Sequence, residues 1–242
     1  MGDARADAAM TRPTVAVVLA QFLEEQEQRL TPKTVAQYRD VVELLQHYLN
    51  DYAYTSLDER DAERYERLRG AERSTPREFC TIFGPEHILP HVGEFLSYFM
   101  IRKVMASQTL LRAAGTVTKR LAAWLAEQGY AAAEVAELAK ERGAEAAREL
   151  PKADALATRL QAFAEAWADP DAVDQIEDHF QITQVEPGKI WLTGLIDGRE
   201  CGPIQLSEEI SRQCQVGWTV SGVIGRVGRR WQLLEAWNVY PL

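Results

Sequence analysis

The sequence predicts an α+β protein: an all-α helical N-terminal domain followed by a small antiparallel, β-barrel-like C-terminal domain. Three observations carry this expectation. Up to about residue 168, apolar residues recur at steps of three and four, the spacing of one buried helix face. The stretch ADPDAV at 168–173 breaks that period. From Phe180 onward, short runs rich in β-branched and aromatic residues alternate with glycine and proline turns. The division is a disordered tail over residues 1–12, a helical domain over 13–168 whose last part (131–168) is Ala-rich, and a β domain over 175–242.

The first clear helix opens at Thr31-Pro32, an N-cap followed by proline at the first helical position. Val35, Tyr38, Val42, Leu45 and Leu49 supply its buried stripe. A second helix is expected over 57–69, mostly charged, with Glu63 and Arg67 at helical pair spacing. A third is expected over about 86–103, with Ile88, Val92, Phe95 and Phe99 inward. A fourth starts after Ser107 and carries Leu110, Ala114, Val117, Leu121 and Trp124. Two Ala-rich helices follow, one over about 131–148 and one after Pro151 with Leu156, Leu160, Phe163 and Trp167. Strands are expected at FQITQ, KIWLTGLI, GPIQL, GWTVSGVIG and RWQLLEAWNVY, with turns at Pro187-Gly188 and Asp197-Gly198 and a helical turn in SEEISRQC.

Composition narrows the function classes. The chain has 242 residues, 46% hydrophobic and 26% charged, enough to bury a core without disulfides or metals. Three widely spaced cysteines, Cys80, Cys201 and Cys214, form no CxxC pair, so neither a zinc ribbon nor a redox pair is indicated, and a reducing cytoplasm fits. The apolar run VAVVLA is too short for a membrane span, and the aspartates before it do not suit a signal peptide. No membrane partner is therefore expected. The formal net charge of -9 opposes nonspecific coating of nucleic acid, yet leaves room for a local basic face.

Residues 31–49 carry more than helix-forming chemistry. Thr31, Thr34 and Tyr38 lead into the ladder Leu45 and Leu49, and a second echo runs through Ser107, Thr109, Trp124, Gly129 and Tyr130. In this order they resemble the N-terminal core-binding, SAM-like domain of tyrosine recombinases (phage integrases) over roughly residues 13–130. The resemblance implies a helical domain that contacts DNA. It does not extend to that family's catalytic domain, which needs a His-x-x-Arg and a nucleophilic tyrosine. None of His47, His87, His91 and His179 has arginine three residues on. Strand cleavage is therefore not implied. No GxGxxG, P-loop, GxSxG or HExxH occurs either, and the expectation is a non-enzyme with no catalytic residues, metal or cofactor.

The residues proposed for nucleic-acid contact fall in two regions. In the helical part they are Lys33, Thr34 and Gln37, with the basic pairs Arg102-Lys103 and Lys119-Arg120. Bland readings stand beside them: a cation at a helix C-terminus for the first pair, a solvated face for the second. In the β part, Arg226, Arg229 and Arg230 crowd the loop GRVGRRW beside Trp231. Small barrels bind single strands with such loops and aromatics, whereas an ordinary hairpin turn also wants glycine. The tryptophans Trp167, Trp191, Trp218 and Trp237 read mainly as core, with Trp231 exposed. His87 and His91 stand at i and i+4, but no third ligand is evident, so they read as helix-start polar residues. The leading expectation is a DNA-binding or accessory protein. The alternatives are a protein-interaction adaptor without nucleic acid, and single-stranded RNA binding by the β domain. The candidate partners are thus DNA or another protein.

Overall fold

The computed structural model describes residues 12–70 and 77–241. The tail predicted over 1–12 lies almost wholly outside them. By backbone proximity the chain forms two compact units. One holds the described residues up to Phe95 together with Thr116–Gly143; the other holds Leu96–Gly115 together with the chain from Ala144 onward. The helical and strand portions of the sequence therefore do not coincide with the units, because the second unit takes helical segments as well as the strands.

In the first unit, α1 (Val15–Glu27) is capped by Thr14 and α2 (Pro32–Tyr52) by Thr31, with Pro32 in the first turn. The predicted stripe of α2 is buried: Val35, Tyr38, Val42, Leu45 and Leu49 are all at or below 9% exposure. They meet Val18, Leu19 and Phe22 of α1, where Phe22 stacks on Tyr38 with ring centres 5.9 Å apart. Asp58 caps α3 (Glu59–Arg69), accepting a hydrogen bond from the Asp61 amide at 2.8 Å. The helix predicted over 86–103 is instead a run of short 3₁₀, α and π turns, with 3₁₀ turns at Pro85–His87 and Leu89–His91. Pro85 and Pro90 explain the difference, since each removes an amide donor and prevents regular α-helical bonding across its position.

Two longer helices follow, α4 (Gln108–Glu127) and α5 (Ala133–Trp167). The two Ala-rich helices predicted either side of Pro151 are one helix with that proline inside it. The reason is phase. Ala146, Leu150, Ala153, Leu156, Leu160 and Ala164 stay on one buried face across the proline, at most 1% exposed. Burying such a stripe outweighs the ~3 kcal/mol that an interior proline costs.

The second unit closes on five strands: β1 (Val173–Glu186), β2 (Lys189–Gly194), β3 (Glu200–Gln205), β4 (Thr219–Val227) and β5 (Arg230–Tyr240). A short helix, α6 (Glu208–Ser211), capped by Ser207, links β3 to β4. β1 begins at Val173, well before the predicted start, and carries a bulge between Val173 and Ile176. The pairing order is β1-β2-β3-β5-β4 and back to β1. The expectation of a purely antiparallel sheet is corrected at one seam. β3 and β5 run parallel, meeting at Ile204 and Trp231. Parity requires this, because a ring with an odd number of strands cannot alternate direction at every join. Leu156 and Leu160 of α5 share the sheet's apolar core with Phe180, Ile182, Ile190, Ile204, Val220 and Ile224.

Candidate nucleic-acid interface

The β4–β5 hairpin builds the most chemically pointed surface of the second unit. Arg226 pairs with Trp231 and Val227 with Arg230, leaving Gly228 and Arg229 as a two-residue turn. Gly228 has φ +62°, which suits a glycine at the first central position of a hairpin turn. Arg226 is half-buried and held in place. Its guanidinium lies 3.4 Å from the Asp174 carboxylate and 5.9 Å from the centre of the Trp231 ring. Asp174 sits in the left-handed region at φ 50° within the β1 bulge, a conformation that aspartate tolerates better than most residues. Arg229 and Arg230 are exposed, and among the described residues no carboxylate pairs with either.

Beside this turn lies a groove of about 280 Å³. Three aromatic rings line it: Phe163 and Trp167 from the end of α5, and Trp231 from β5. Phe163 and Trp167 stack with centroids 6.4 Å apart, and Trp167 is 66% exposed. Arg230, Gln205 and Asp169 supply polar groups to the same lining. Gln232 acts as a brace. Its side-chain amide donates to the Trp167 carbonyl, and its carbonyl accepts the Asp169 amide at 3.1 Å. The end of α5 is thereby tied to β5, which fixes the Trp167 wall relative to Trp231.

Two expectations about tryptophan are corrected here. Trp231 is half-buried rather than exposed, because one side packs on the apolar core while Arg226 covers its ring. Trp167 and Trp237 are not core residues, at 66% and 41% exposure. Trp167 is the last residue of its helix, one turn beyond Ala164, where the buried stripe ends. Nothing in its position within the apolar period distinguishes it from a buried residue. Its exposure follows from where the helix stops.

None of the other basic candidates is among the residues that line this groove. Lys33 is exposed at the start of α2, Gln37 is half-exposed, and the Thr34 hydroxyl lies 3.0 Å from that of Thr31 within the cap. Arg39, one turn on, is tied to Glu27 at 2.6 Å. Lys119 is exposed on α4, while its neighbour Arg120 contacts Glu127 at 3.2 Å. Arg102 and Lys103 both lie over the Tyr98 ring, at 5.7 and 5.9 Å. That contact gives them a structural role that needs no phosphate.

A second hollow, of about 640 Å³, opens on the outer side of β1, β4 and β5. Its polar lining is acidic, with Asp169, Glu177 and Glu235, and Trp237 donates its indole N–H to Glu235 at 3.1 Å. The sequence reading did not find it. Glu177, Val223 and Glu235 come together only through cross-strand register.

The cysteines are closed to thiolate chemistry. Burial pushes Cys80 and Cys214 each up to about 12, with the Glu78 charge adding to the shift at Cys80, and burial also raises Cys201. The His91 ring is committed at both nitrogens. Nδ1 lies 2.7 Å from the His87 carbonyl, which can only accept, so Nδ1 donates there, and Nε2 lies 2.9 Å from the Ser56 hydroxyl. His87 faces Asp61 at 3.5 Å, and burial lowers its pKa against the pull of that carboxylate.

Comparison with known proteins finds no matching family model, no similar curated protein and no similar solved structure. Among the described residues no helix is long and apolar enough to cross a membrane.

Proposed function

We propose that this protein binds single-stranded nucleic acid, without chemistry of its own, through the Arg/Trp groove at the β4–β5 turn. The observation that carries the reading is the exposed Arg230 in the lining of a groove walled by Phe163, Trp167 and Trp231, with the exposed Arg229 next to it in the turn. Arginines neutralise phosphates, and aromatic faces stack bases of any sequence at about 1–3 kcal/mol each. We read the five-stranded sheet as a small barrel. Its strand order, the helix after β3, and the arginines between β4 and β5 fit the oligonucleotide-binding fold, whose β1–β2 and β4–β5 loops grip single strands. The β1–β2 turn lies at the same end, since Ile204 pairs with both Ile190 and Trp231. The buried free thiols suit a reducing cytoplasm.

The test is a charge reversal. Arg229→Glu with Arg230→Glu should abolish binding of a labelled single strand at low salt while leaving the circular dichroism spectrum unchanged. Undiminished affinity in the folded variant refutes the reading.

The recombinase-like duplex reading draws on exposed Lys33 and Lys119. It has less support, because Glu27 and Glu127 already engage the neighbouring Arg39 and Arg120. A protein-interaction adaptor draws instead on the acidic hollow around Trp237, whose charge would suit a basic segment of a partner.

A further inference from the structure

Resting on the single-strand reading, we infer that the groove selects one base and that the base is guanine, with Asp169 as the residue that reads it. Size sets the number. At about 280 Å³ the groove falls just below the ~300–1,000 Å³ of pockets that take drug-sized ligands, so it admits one planar base rather than a stack of several. Trp167, 66% exposed, supplies the stacking face, Trp231 with Arg226 over its ring forms part of the wall, and the exposed Arg230 of the lining is placed for a flanking phosphate.

The choice of base follows from the polar groups still open. The Gln232 amide is used at both ends. One Asp169 oxygen accepts the Asp171 amide at 2.9 Å, and among the described residues no donor meets the other. Gln205, exposed at the rim, can donate or accept and so does not discriminate. A carboxylate only accepts, so the base edge facing Asp169 must donate. Guanine offers its N1–H and its amino group side by side. Adenine and cytosine each offer one amino group. Thymine and uracil place a carbonyl on either side of their single N–H, and those oxygens repel the carboxylate. The order of preference is therefore guanine first, adenine and cytosine next, thymine and uracil last.

The experiment uses the full chain and fluorescein-labelled pentamers of thymidylate at low salt. The central position carries guanine, hypoxanthine, adenine, cytosine, thymine or no base, and anisotropy reports affinity. The guanine pentamer should bind roughly tenfold more tightly than the all-thymine one, in line with good base-edge contacts. Hypoxanthine, which lacks the amino group, should fall between them. Asp169→Asn keeps an oxygen for the Asp171 amide, so the turn is retained. It should lower the guanine pentamer to the level of thymine and leave the thymine pentamer no weaker. Equal affinity for all bases overturns base selection while strand binding stands. A guanine preference that survives Asp169→Asn overturns the assignment to Asp169. No binding of any pentamer removes the single-strand reading itself, and this inference with it.

Discussion

A single side chain, Gln232, decides whether the groove exists as a rigid feature. Its amide bridges the Trp167 carbonyl and the Asp169 amide, so Gln232→Ala should loosen the Trp167 wall without emptying the core. The expected outcome is several-fold weaker strand binding at nearly unchanged stability. Retained affinity would show that Trp167 needs no brace. The thiols make a prediction of the opposite kind, about stability rather than binding. Burial pushes the Cys80 and Cys214 thiols up to about 12 in the fold, from an ordinary value of 9.0. Both groups are neutral in the fold at pH values where the unfolded chain begins to release their protons. Their contribution is fully present below about pH 9 and is lost as pH rises toward 12, at about 1.4 kcal/mol per unit for each thiol. Urea unfolding should therefore weaken between pH 8 and 10.5, and Cys80→Ala with Cys214→Ala should flatten that decline. The arginine loop was legible in the sequence because glycine and arginine announce a turn and a charge locally. Asp169, Gln232 and the exposed face of Trp167 were not legible. Their roles arise from the meeting of a helix end with a strand some 65 residues further along the chain.

Helix α5 shows how an element can override its own punctuation. A proline in mid-sequence predicts two helices, yet the apolar stripe is in register on both sides and the buried face wins. Pro151→Ala should restore an amide donor and raise stability by about 1–2 kcal/mol, the propensity gain less a small cavity. A loss of stability on urea denaturation would mean the proline ring packs better than this accounting allows. Gly222 in β4 tests the strand pairing. A Cβ there would stand 2.1 Å from the Glu235 carbonyl oxygen, which is backbone and cannot yield cheaply. Gly222→Ala should disrupt the β4–β5 ladder and expose Trp218, read as a red shift in tryptophan emission; an unshifted spectrum would show that the ladder yields. The period-three-and-four stripes, the caps Thr31 and Ser107 and the turns at Gly188 and Gly198 were all readable, since each depends on neighbours in sequence. The broken run from Pro85 to Arg102 was foreshadowed only by its two prolines, and the apolar period masked them.

At the scale of the molecule, a chain of net charge -9 can hold a polyanion only where local charge prevails. Binding should fall with salt at a slope near -0.7 per neutralised phosphate, and replacing Arg229 and Arg230 with alanine should flatten that slope by about 1.4 if each meets one phosphate. A slope unaffected by the double change would place the contact elsewhere, with Lys33 and Lys119 next to be tried. A barrel-like β domain was expected from the sequence, but its strand order was not legible, because alternation predicts strands and not which strand meets which. In the observed order each of the five strands has a paired neighbour on both sides. The ring is nonetheless uneven. β4 and β5 pair along nine residue pairs, whereas β3 and β5 meet at the single pair Ile204 and Trp231. Amides flanking that seam should exchange with deuterium soonest. A ligand that grips Trp231 would clasp the ring at its loosest join, slowing exchange there and turning a nucleic acid into a fastener for the fold that holds it.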